Sequence, residues 1–110
     1  MAWMHYIMDA TASFQRPLAY NPGTKEMLER QGFVDIRHEI IEVPLNPWTT
    51  DAHSRDIGRW YNLGLTQGLE ALTLAPMTRM RRWQKEDVDR MVQEVKREIC
   101  DRKIHAYCYM

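Results

Sequence analysis

The 110 residues include only two cysteines, two phenylalanines, five glycines and five prolines. Each scarcity excludes something. Cys100 and Cys108 fall near the end of the sequence, one in a helical pattern and one beyond it. That spacing fits neither a disulfide framework nor a metal site, so both are expected to be reduced thiols and no metal is expected. The glycines at 23, 32, 58, 64 and 68 do not cluster, so no turn cradles phosphate-like groups by its backbone. Neither sign of charge is in excess, with 15 basic against 15 acidic side chains, which leaves nucleic acid without an electrostatic footprint. Long apolar runs are missing too. The stretch LEALTLAPM contains Glu70 and is far too short to span a bilayer. Residues 1–12 have no basic start and no signal-type apolar run, so the expected location is intracellular, in the cytoplasm, with no membrane partner.

Hydrophobic residues make up 45% of the chain and charged ones 27%, the balance of a soluble globular domain. With no internal repeat, low-complexity tract or linker, residues 1–110 read as a single domain.

Helical spacing of Trp3, Tyr6, Ile7, Ala10 and Phe14 predicts a first helix that ends before Pro17. A turn at Asn21, Pro22 and Gly23 leads to a second helix over 25–31, capped by Thr24 and ended by Gly32 in the left-handed region. Residues 33–45 predict a strand with Val34, Ile36, His38 and Ile40 on one face, after which the apolar phase shifts to Ile41, Val43 and Leu45. Pro44 and Pro47 stop it, Trp48 anchors the turn, and Thr50 or Asp51 caps the longest helix. In that helix Ile57, Trp60, Tyr61, Leu65, Leu69 and Leu72 are apolar, with Gly64 and Gly68 beside them; Pro76 is expected to break the run. A short helix then starts at Met77. The last long helix, over 85–102, has Val88, Met91, Val92, Val95 and Ile99 as its buried stripe, and a second strand follows at 104–109. The expected class is α+β, mainly helical, with four or five helices around a small antiparallel sheet.

The order of a Trp-bearing helix, a helix ending in QGF, VDIRHEIIEVPLNPW, then IGRWYNLGLTQGLEALTLAPMTR and EDVDRMVQEVKREICDRKIHAY, resembles the C-terminal part of fungal class I S-adenosylmethionine-dependent methyltransferases of secondary metabolism. That group includes a nuclear regulator of metabolite clusters. The resemblance covers nearly all of this chain and about the last third of theirs. It implies the acceptor-binding and lid half of such an enzyme. The family holds its cofactor earlier, on a glycine-rich turn after the first strand and an acidic residue after the second. This chain shows no such turn, so no cofactor and no methyl transfer are expected of it alone. A strand pair without its sheet neighbours leaves edges and apolar faces to cover. The expected partners are therefore a second copy in a homodimer or a Rossmann-type methyltransferase chain.

Candidate site residues follow from the side-chain chemistry. His5 and His38 are proton carriers near neutral pH, and Asp9, four residues after His5, is placed to orient it. His38 on an apolar strand face reads first as a core histidine satisfied by one hydrogen bond. Trp60, Tyr61 and Asn62 offer an aromatic wall, a hydroxyl and an amide beside the gap left by Gly64 and Gly68, with Trp3 as a further wall. The same residues read first as helix packing against the strand. Arg79, Arg81, Arg82 and Lys85 precede Glu86, Asp87 and Asp89, a pattern that neutralises itself in solvent. The leading expectation is an apolar small-molecule ligand and an isomerisation or cyclisation step in secondary-metabolite biosynthesis, with His38, His5, Tyr61 and Asp9 catalytic. The alternative is a non-catalytic or complementing subunit of a heteromeric methyltransferase.

Overall fold

The computed structural model describes residues 2–110. Helices α1 (Ala2–Ser13) and α2 (Thr24–Arg30) precede strand β1 (Glu42–Pro44), the long helix α3 (Ala52–Ala75), a π-helical turn (Pro76–Met80), α4 (Lys85–Cys100) and strand β2 (Tyr107–Tyr109). The class is α+β and mainly helical, as the periodicity implied.

The core is a helical sandwich. Trp3, Ile7 and Ala10 of α1, Leu69 of α3, Met77 of the π turn, and Val88, Val92, Val95 and Ile99 of α4 form one buried cluster. The α4 stripe is buried at the positions its 3.6-residue period selects, with Met91 half-buried at the margin. Trp3 fixes α1 on α3: its indole Nε1 donates to the Thr73 hydroxyl at 2.8 Å, and that hydroxyl donates to the Leu69 carbonyl at 2.6 Å. A buried indole N–H is thereby satisfied.

Pro76 does not end the helical run. It continues in the right-handed region, φ −58° and ψ −42°. Having no N–H, it cannot bond back to the preceding turn, and the chain widens into the π turn, where the Arg81 N–H reaches the Pro76 carbonyl at 3.3 Å. Met77 is thereby delivered to the core, fully buried. Asp51 caps α3 by accepting from the Ser54 N–H at 2.8 Å, which holds its carboxyl below the usual range. In α2 the cap is Gly23, not Thr24, whose hydroxyl instead donates to the Asn21 carbonyl. Gly32 takes φ +91° after the helix, the left-handed position that favours glycine.

The sheet is two-stranded and antiparallel, with Glu42 opposite Tyr109, Val43 opposite Cys108 and Pro44 opposite Tyr107. Backbone bonds extend it at both ends: Ile41 and Met110 exchange bonds at 2.7 and 2.8 Å, and the Leu45 N–H reaches the Ala106 carbonyl at 3.0 Å. The strand expected over 33–45 is therefore mostly absent. Residues 33–41 form no strand and bend at Asp35, which has φ +57°, and Phe33, Val34, Ile40 and Ile41 are exposed. A strand needs a neighbour for its ladder, and β2 reaches only as far as residue 41.

The molecule is thin. Its extents are 49 × 40 × 18 Å and its radius of gyration is 16.7 Å, against about 13 Å for a compact domain of this length. Helix α2 buries none of its residues.

Candidate functional site

Successive helix positions turn by about 100°, so the adjacent Trp60, Tyr61 and Asn62 cannot share one pocket wall. Trp60 points outward and is 74% exposed. It borders a shallow hollow of about 410 Å³ with Asp56, Arg59 and Leu63, where Arg59 pairs with Asp56 at 2.9 Å. Tyr61 turns toward the sheet, where its hydroxyl meets the Cys108 Sγ at 3.5 Å. That bond first, and burial second, push the phenol up to about 12, which keeps it neutral and a poor proton donor near pH 7. Asn62 points inward. Its amide nitrogen donates to the Leu45 carbonyl at 3.0 Å and to the Ile99 carbonyl at 2.8 Å, joining the end of β1 to the end of α4. Both donors are spent on the backbone, and the side chain acts as a clamp.

Gly64 and Gly68 face open space, with no atom within 4 Å of where a Cβ would stand. Trp3 is buried in the core rather than lining an opening. Asp9 does not orient His5: its carboxylate accepts from Arg81 at 3.0 Å, tying α1 to the segment after the π turn. His38 is exposed and tilted against Tyr20 at 5.4 Å, not set on a buried strand face. Among the described residues no hydrogen bond joins His5, Asp9, His38 and Tyr61 to one another. The basic cluster neutralises itself in part, with Lys85 on Asp89 at 2.7 Å and Arg81 on Asp9.

The residues that sequence reasoning missed are Asn46 and Gly58. Asn46 is fully buried and donates to the Asp101 and Ile104 carbonyls at 3.2 and 3.1 Å, while Gly58 leaves room for its backbone. An Asn-Pro pair signals a turn, not a buried tether.

The outstanding surface is apolar and uncovered. Ile57, Trp60, Leu63 and Leu72 stand exposed along α3, which from Trp60 to its end carries one charge, Glu70. Phe14, Leu18, Tyr20, Met27, Phe33 and Val34 are exposed as well. That is much large apolar surface for a chain of this size. β1 is followed by residues 45–51 without a glycine, so no glycine-rich turn leads from that strand to a helix. Among the described residues no group of acidic, histidine and cysteine side chains could hold a metal, and no helix is long and apolar enough to cross a membrane.

These features define an α+β, mainly helical unit with a two-stranded antiparallel sheet. The sequence comparisons agree: the chain's homologues are fungal secondary-metabolism regulators of a methyltransferase-like family. It is 52% identical over 106 residues to the secondary metabolism regulator LAE1 of Cochliobolus heterostrophus, covering 96% of this chain and 34% of that protein. It is 41% identical over 106 residues to the protein-methionine methyltransferase laeA of Emericella nidulans, covering 96% of this chain and 28% of the relative. A relative from Chaetomium globosum, also named protein-methionine methyltransferase laeA, is 38% identical over 107 residues. The chain thus spans about a third of the length of the curated relatives it matches. No family model and no solved structure matches it.

Proposed function

We propose that the chain is the lid and acceptor-side unit of a methyltransferase-like regulator of secondary metabolism, active only when docked to a Rossmann-type half that carries the cofactor. The observation that carries this reading is the uncovered apolar surface of α3 and residues 14–41. A thin, extended shape and similarity to a part of longer methyltransferase-like proteins support it. The core from α1, the π turn and α4 holds the unit together, and the α3 face around Trp60 receives the partner. Methyl transfer belongs to the assembly, and the isolated chain neither binds the methyl donor nor transfers a methyl group.

A second reading, an apolar small molecule turned over by isomerisation or cyclisation, has the hollow beside Trp60 in its favour. It is the weaker reading, since neither His38, His5 nor Tyr61 borders that hollow.

Reconstitution tests the choice. The rest of the Emericella relative, the 72% outside the 28% matched, expressed as a separate chain, should form a complex with this one. The complex should bind S-adenosylmethionine in calorimetry where this chain alone does not. Trp60→Glu should weaken assembly by at least about tenfold, the loss of one well-buried anchor. Donor binding by the isolated chain, or wild-type assembly by Trp60→Glu, would overturn the proposal.

A further inference from the structure

We draw no further inference here: the strongest candidate, the hollow of about 560 Å³ between Trp83 and the first turns of α4, is rimmed by exposed side chains of both signs that pair in part, Asp87 with Arg90 at 3.5 Å, and nothing in the structure shows what covers it.

Discussion

Gly58 lies so close to Asn46 that a Cβ at position 58 would stand 2.5 Å from the Asn46 carbonyl oxygen and 2.8 Å from its carbon. Those atoms are backbone and cannot swing aside. Gly58→Ala should therefore destabilise the fold by about 1–3 kcal/mol, the usual cost of overpacking. Gly64→Ala and Gly68→Ala meet open space and should stabilise by up to about 1 kcal/mol each through helix propensity. Urea unfolding of the three variants checks both signs.

Asn62 is expected to matter for stability rather than for turnover. Asn62→Ala removes the bonds to Leu45 and Ile99 and should cost about 2 kcal/mol, near 1 for each bond lost. A Tm unchanged from wild type would return Asn62 to the ligand-binding role.

Trp3 and Thr73 should couple. Their bond joins residues 70 positions apart, so Trp3→Phe and Thr73→Val should each destabilise. The double variant should lose less than the sum, with an interaction of about 1 kcal/mol in a double-mutant cycle.

Tyr61 should make stability fall at alkaline pH. Its phenol ionises near 10.0 when unfolded and at about 12 when folded. Because the folded value is the higher one, its contribution is complete below pH 10 and is lost as pH rises toward 12. The stability difference between wild type and Tyr61→Phe should shrink across that window. A difference independent of pH would contradict the bond to Cys108.

Much of the helical scaffold was legible because it repeats locally. The α4 stripe at Val88, Val92, Val95 and Ile99 follows from period alone, and Asp51 and Gly32 act as punctuation whose chemistry is contained in a few neighbouring residues. The candidate site was not legible in that way. Trp60, Tyr61 and Asn62 read as one surface in sequence, but helical rotation sends them outward, to the sheet and to the core. His5 and Asp9 have the right spacing for a pair, yet Arg81, 72 positions from Asp9, takes the carboxylate.

The sequence by itself determined the helices, the antiparallel class and the resemblance to part of a methyltransferase, since these rest on side-chain period, caps and motif order along the chain. Only the tertiary structure decided that the strand at 33–45 shrinks to Glu42–Pro44, that Asn46 and Asn62 tie β1 to the end of α4, and that Trp60 stands uncovered. The reason is that a backbone donor or an apolar side chain is satisfied by whatever the fold brings to it. Sequence position does not state which partner that is.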